Sequence, residues 1–409
     1  MRFLIIGWAY LPESAGIGPY TADLAEYLVQ SGHQVQVVTG FPMYPQWKIW
    51  EGYRGKWFMR ETINGVPVLR TYTYVPSKPR KTLSRILFDM SLALSLFLGV
   101  LRTGPCDLII TISPPLQLGL TGWLASILKR APFLFHIQDL VPDAAVATGM
   151  LSEKSKAVKL ARLMERFIYR RADGIGVICE GFYRNLRAKN VPSEKLALLP
   201  NYIDLSFMKL CEKNNGFRHH HNLKAQDFVV MYSGTIALKQ GLHVLVEVAA
   251  ELREYEKIKF YLIGEGPYLE ELRQQAEKLA LTNITFLPLQ PRESLPKQLA
   301  AADVLVITQR RAVTDIVFPG KLLYYMASDR PILAAVSADS ETGRFVHEHD
   351  LGVVVPPESP KELAAAILEL QQKNSLGGKG RRVAEEEFDR LIVLQKFAAY
   401  LQTLAKRKD

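Results

Sequence analysis

The stretch "VVMYSGTIALKQGLHVLVEVAAEL", Val229 to Leu252, changes its periodicity halfway. Val229 to Tyr232 is a continuous apolar run, the pattern of a strand buried on both faces, whereas the residues after Gly241 repeat at helical spacing. Ser233, Gly234, Thr235 and Lys239 lie between them in a loop. Strand, loop and helix make half of a βαβ unit, and repetition of that unit would define the fold.

The unit does repeat. Upstream stand "RFLIIG", "QVQVVTG", "CDLIITIS", "APFLFHIQD", "GIGVICE" and "LALLPN", and downstream "KFYLIGEG", "ITFLPL", "DVLVIT", "PILAAV" and "GVVVPP", with helical patterns between. Such alternation predicts α/β architecture with two doubly wound parallel sheets. The polar patch "KNNGFRHHHNLKAQD" interrupts it, so the expected domains are residues 1–205, 206–380 and a C-terminal helical segment 381–409. His219, His220 and His221 in that patch read as a solvated loop, because adjacent positions do not face one metal centre.

Composition narrows the class. Of 409 residues, 48% are hydrophobic and 22% charged, as in a globular protein, and 51 lysines and arginines against 41 acids favour phosphate-bearing or anionic-membrane partners. No feature calls for nucleic acid. Cys106, Cys179 and Cys211 show no CxxC spacing, which argues for a reducing compartment, the cytoplasm by default. The N-terminal "MRFLIIGWAYLPE" reads as a first strand rather than a signal peptide.

Thr82 to Leu101, "TLSRILFDMSLALSLFLGVL", stands apart. Its clean apolar run after Asp89 is about twelve residues, short of the ~20 a span needs. Two readings stand: a helix lying on the inner face of the cytoplasmic membrane with the basic "SKPRK" on anionic lipid, or a core helix beside the sheet.

Five loops carry candidate chemistry. "VFPGKLLYYMASDRPIL" starts a helix at Lys321, where a cation faces the positive end of the dipole at a cost of up to ~1 kcal/mol unless an anion lies in front. Lys239 repeats the arrangement, and a diphosphate is the economical common partner. Gly16 and Gly18 in "LPESAGIGPYTADLAEYL" allow close approach of an anion or sugar, but Thr21 stands where a dinucleotide fingerprint needs its third glycine. "FHIQDLVPDAA" brings His136, Asp139 and Asp143 to a strand's C-terminal end, where His136 is either a ligand contact or a satisfied core histidine and Asp143 can cap a helix. Gly264, Glu265 and Gly266 either pass beneath a nucleoside or form an ordinary turn.

These elements, in this order and with "LPNYID" and "AAADVLVIT", resemble the retaining GT-B glycosyltransferases of the glycosyl-group-1 family. "YSGTIALKQGL", "HIQDLVPDAA" and "PGKLLYYMA" look most like the branch that builds bacterial exopolysaccharide units, the colanic-acid-type transferases included. The resemblance implies two Rossmann-like domains facing across a cleft, the second holding a GDP- or UDP-linked sugar donor and the first a saccharide acceptor, polyprenyl-linked or free. It implies a C-terminal helix returning to the first domain and no metal or other cofactor. It assigns catalysis to His136, Lys239, Lys321 and Asp315, and the donor to Gly16, Gly18, Ser233, Gly234, Gly264, Glu265, Gly266, Arg310, Val317, Phe318, Pro319, Gly320 and Tyr324; Asp139 and Asp143 face the acceptor.

The sequence departs from that pattern at two points. Of the family's two glutamates, eight residues apart, the positions hold Ile316 and Tyr324, leaving Asp315 as the substitute for the first and one hydroxyl at the second. The usual arginine of the "YSG" loop is Thr235, with Arg310 or Arg311 to replace the charge. A nucleotide-sugar epimerase of the same fold and a non-catalytic nucleotide-binding protein are the competing classes.

Overall fold

The computed structural model describes residues 1–13, 16–44, 46–77, 82–147, 149, 151–311, 319–373 and 379–406. The chain divides into two compact units, Met1–Pro200 with Leu394–Asp409, and Asn201–Val393.

Unit 1 runs β1 (Arg2–Ile6), α1 (Gly18–Gln30), β2 (Gln34–Gly40), β3 (Phe58–Ile63), β4 (Val66–Thr71), α2 (Thr82–Val100), β5 (Leu108–Ser113), α3 (Leu118–Lys129), β6 (Phe133–Ile137), α4 (Val141–Ala147), α5 (Lys156–Arg171), β7 (Gly174–Val177), α6 (Glu180–Ala188) and β8 (Leu196–Leu198). Among the described residues the strands form one sheet in the order β3-β4-β2-β1-β5-β6-β7-β8, parallel except for β3 against β4. The six strands expected from continuous apolar runs are all present. The β3–β4 hairpin is the addition, and Asn64 and Gly65, with φ of 50° and 82°, make the turn that its tight reversal requires.

Unit 2 runs α7 (Gly216–His220), β9 (Phe228–Ser233), α8 (His243–Glu251), β10 (Ile258–Ile263), α9 (Leu269–Lys278), β11 (Ile284–Leu287), α10 (Leu295–Ala300), β12 (Val304–Thr308), α11 (Lys321–Ala327), β13 (Ile332–Ala335), α12 (Glu341–Glu348), β14 (Gly352–Val355), α13 (Pro360–Lys373) and α14 (Gly380–Glu387). Its described strands make a parallel sheet in the order β11-β10-β9-β12-β13-β14. Alternate residues feed two cores: Val230, Tyr232, Phe260, Leu262, Val304 and Val306 on one face, and Val229, Met231, Tyr261, Ile263, Leu305 and Ile307 on the other. Burial on both faces is why these strands read as unbroken apolar runs.

Two expectations are corrected. The histidine tract is not a loop: His219 and His220 lie in α7, and the His221 ring sits 5.5 Å from that of Tyr261. Arg218, just before the histidines, is fully buried, donating to the carbonyls of Ala301, Lys224 and Asp227 at 2.7–2.8 Å, a demand that orders the segment. The C-terminal segment from Arg381 is two helices, α14 and α15 (Arg390–Lys406), broken at Phe388 and Asp389, where Ile203 N–H donates to Phe388 O and Arg390 N–H to Ile203 O. Residues 381–393 therefore belong to unit 2, and unit 1 resumes at Leu394.

Candidate active site

The site is built where β9 and β12 end. After Ser233 the chain enters the loop of Gly234 and Thr235, passes a tight turn at Leu238–Gln240 and reaches Gly241 in the left-handed region at φ 63°. Across from it Thr308 and Gln309 follow β12, with the Thr308 hydroxyl on Gln240 O and the Arg310 N–H on Lys239 O at 3.1 Å. Gly234, Thr235, Lys239, Gln240, Ile307, Thr308 and Gln309, together with Pro319, Gly320 and Lys321, line a cavity of about 330 Å³.

Lys321 begins α11 and is half-buried. Its ammonium donates to the Tyr232 hydroxyl at 2.5 Å, and that hydroxyl donates to Thr235 O at 2.6 Å. Burial, helped by the charge of Lys239, pushes the Lys321 pKa down to about 7. The cavity thus contains one lysine at the edge of ionisation and a second, exposed lysine beside it. Among the described residues its lining contains no carboxylate, so an anionic ligand would supply the countercharge that they lack.

The sequence candidates separate accordingly. Gly234, Lys239, Pro319, Gly320 and Lys321 converge on the cavity. Ser233 lies behind it, its N–H bonded to the Tyr325 hydroxyl at 2.9 Å and its Oγ to Gln298 at 2.8 Å. Gly264 and Gly266 answer to packing: a Cβ on Gly264 would stand 1.9 Å from Gly234 O, and one on Gly266 2.0 Å from Ile236 O. They press the β10 loop against the loop that carries the cavity, while the Glu265 side chain is exposed. Arg310 faces Glu358 at 3.6 Å. Tyr324 packs on the second core near Arg292 and Asp204 and does not line the cavity. Asp315, Val317 and Phe318 lie outside the described residues. Tyr232, Thr308 and Gln309 are site residues that sequence reasoning missed, and only the strand-end position of the last two marks them.

In unit 1 the placement of His136 matches the core alternative. It is the penultimate residue of β6 and only 4% exposed, with Nε2 on Leu199 O at 3.2 Å and its ring edge-on to Phe397. Gly176 packs against the ring, and burial lowers its pKa to about 4. It is a neutral core histidine. Asp143 is committed to an ion-pair cluster with Arg162 at 2.9 Å and Lys189 at 2.6 Å, which hold its carboxyl below the ordinary range despite burial. It neither caps a helix end nor stands free for an acceptor. Asp139 is exposed just beyond β6. Gly16 takes φ 67° in the β1–α1 loop, and Gly18 lies so close to Glu13 that a Cβ would stand 2.9 Å from its carbonyl. Among the described residues no group of three or more His, Cys, Asp or Glu side chains converges on a metal position.

Two doubly wound parallel-sheet units, one with a two-lysine cavity at its strand ends, define a class that comparison makes specific. Sucrose-phosphate synthase from Thermosynechococcus elongatus superposes over 99% of both chains with a TM-score of 0.77 and 19% identity, and the Anabaena protein HepE, solved with UDP, over 98% of this chain and 100% of its own with a TM-score of 0.73 and 18% identity. The fold is GT-B. Residues 15–202 match the family described as Glycosyl transferase 4-like domain and residues 227–373 that described as Glycosyl transferases group 1; a putative colanic acid biosynthesis glycosyl transferase, WcaI, of Escherichia coli K12 is 32% identical over 97% of this chain and 98% of its own. The chain belongs to the group 1 glycosyltransferases.

Proposed function

We propose that the protein is a retaining transferase that moves a sugar from a nucleoside-diphosphate sugar to a hydroxyl of a saccharide acceptor, lipid-linked, in exopolysaccharide or cell-surface glycan synthesis. The observation that carries this is the cavity whose described lining brings Lys321 and Lys239 together with no described carboxylate. A diphosphate placed there accepts charge-assisted hydrogen bonds from both cations, and no metal is needed to neutralise it. The bond from the anomeric carbon to the diphosphate breaks, and the acceptor oxygen bonds to that carbon on the same face. The acceptor's proton passes to the departing phosphate oxygen, so configuration is kept. Such a step needs no protein nucleophile, which suits a site built from cations, backbone and hydroxyls. The kinship with a colanic acid transferase and the UDP held by HepE support the substrate class.

A panel of nucleotide-sugars tested for thermal stabilisation, followed by transfer assays with membrane extract and NMR of the product's anomeric configuration, tests the reading. Lys321→Ala and Lys239→Ala should each weaken donor binding by roughly 1.5–3 kcal/mol. No stabilisation by any nucleotide-sugar, or full affinity in both variants, would sink it.

A further inference from the structure

Helix α2 is apolar on two opposite sides. Phe88, Leu92, Leu96 and Val100 are at most 1% exposed and sit in the core of unit 1, while Leu83, Ile86, Leu87, Met90, Leu94 and Leu98 form an exposed stripe. The helix is long and apolar enough to cross a membrane, but only its outer side is free, since its inner side is held by the sheet and by α3. Neighbouring helices continue the exposed surface. α3 packs on α2 and α5 on α3, and they add Leu124, Ile127, Leu128, Leu160 and Leu163, with Leu94, Leu160 and Leu163 each more than 60% exposed. Contiguous apolar exposure of this extent marks an interaction surface rather than ordinary scatter.

Charge identifies the occupant. The three helices carry the cations Arg85, Lys129, Lys156, Lys159, Arg162, Arg166, Arg170 and Arg171. Their acids are Asp89 and Glu165, with side chains 13% and 3% exposed and both ion-paired. Glu153, the exposed acid before α5, faces Arg162 at 3.6 Å. Beside α2 the chain is laced to Ser91 and Ser95 through Tyr74 N–H and Tyr72 O, placing Tyr72, Tyr74 and the 73%-exposed Trp57 along its flank. Apolar stripe, an excess of cations over acids and flanking Trp and Tyr match the chemistry of a bilayer interface with anionic headgroups. A twofold contact with a second copy would set these cations against one another.

We infer that the α2–α3–α5 face of unit 1 docks this protein on an anionic phospholipid surface, with the stripe of α2 seated among the acyl chains and the α5 cations on the headgroups. Residues 78–81, the rest of the basic run before α2, lie outside the described residues and are not needed for the argument. The inference deepens the lipid-linked acceptor reading, yet it is tested without any sugar.

The full chain is floated with vesicles of phosphatidylcholine alone or mixed with phosphatidylglycerol. It should float with the mixed vesicles and be released by high salt. Met90→Glu with Leu94→Glu, and separately Leu160→Glu with Leu163→Glu, should cut flotation about tenfold or more while leaving thermal stabilisation by nucleotide-sugar intact. Failure of the wild type to float, salt-insensitive equal binding to both vesicles, or wild-type flotation of both double variants overturns the inference. So does a wild-type dimer that Met90→Glu dissociates and that does not float. Flotation without transfer would sink only the enzymatic reading.

Discussion

Lys321 and Tyr232, 89 residues apart, meet at 2.5 Å, the ammonium also lying 3.8 Å from the centre of the same ring. The lysine's pKa has fallen from its ordinary value to about 7, chiefly through burial. In the empty protein it is therefore half-ionised near neutrality, and a diphosphate in front of it should draw a proton in. Nucleotide-sugar affinity should be flat just below pH 7 and weaken as pH rises above it, with proton uptake visible by calorimetry in buffers of different ionisation enthalpy.

The same depression has a stability side. Between the folded value near 7 and the unfolded value of 10.5 the unfolded chain binds more protons, so stability contributed by this group rises with pH across that window. Lys321→Met should raise the empty protein's stability at pH 7 by roughly 1–3 kcal/mol while removing the proton uptake. A melting temperature unchanged or lowered would contradict it.

Tyr232→Phe removes the hydroxyl that accepts from Lys321 and donates to Thr235 O. Donor binding should weaken by about 1 kcal/mol, and the pH at which it begins to fall should move lower, since the lysine has lost an acceptor. Titration calorimetry across pH reads both.

Gly264→Ala drives a methyl group onto Gly234 O and should destabilise the fold by about 1–3 kcal/mol or more while weakening donor binding through the displaced loop. Gly16→Ala meets no described atom within 4 Å but must hold φ 67°, so its effect on stability should be nearer ~1 kcal/mol. Urea unfolding of the two variants should rank them in that order.

His136 offers a separate test. Its folded pKa of about 4 lies below the ordinary 6.5, so the unfolded chain binds the extra proton and stability is lost as pH falls through that interval. Between pH 7 and 5 this group should withdraw about 2 kcal/mol, a loss missing from His136→Gln when the two urea series are compared. Retained transfer in that variant would confirm its structural role.

Much of the fold was legible because parallel strands buried on both faces, such as β9 and β10, leave unbroken apolar runs. The hairpin was not, since Phe58–Ile63 is half polar and its Asn-Gly turn was the only strong mark. Lys321 and Lys239 were legible as cations misplaced at loop-to-helix joints. Tyr232 was not, because the contact that makes it part of the site is made across the sheet. His136 stayed ambiguous for a related reason: every residue of β6 is buried, and a run of that kind does not disclose which side chains face a ligand. The C-terminal break at Asp389 depends on pairing with Ile203, far away in sequence.

Arg381 gives that last segment a further meaning. Its backbone N–H bonds Asp329 and its guanidinium reaches Ala327 O, the closing residue of the helix that Lys321 opens, and Met208 O. A chain cut at residue 380, where the alternating pattern ends, would leave the lysine's helix unbraced at its far end and strip Ala384 and Phe388 from the core. Anyone wishing to isolate the unit that carries Lys321 for titration should carry it from Asn201 through Val393, treating the last thirteen residues as foundation rather than tail.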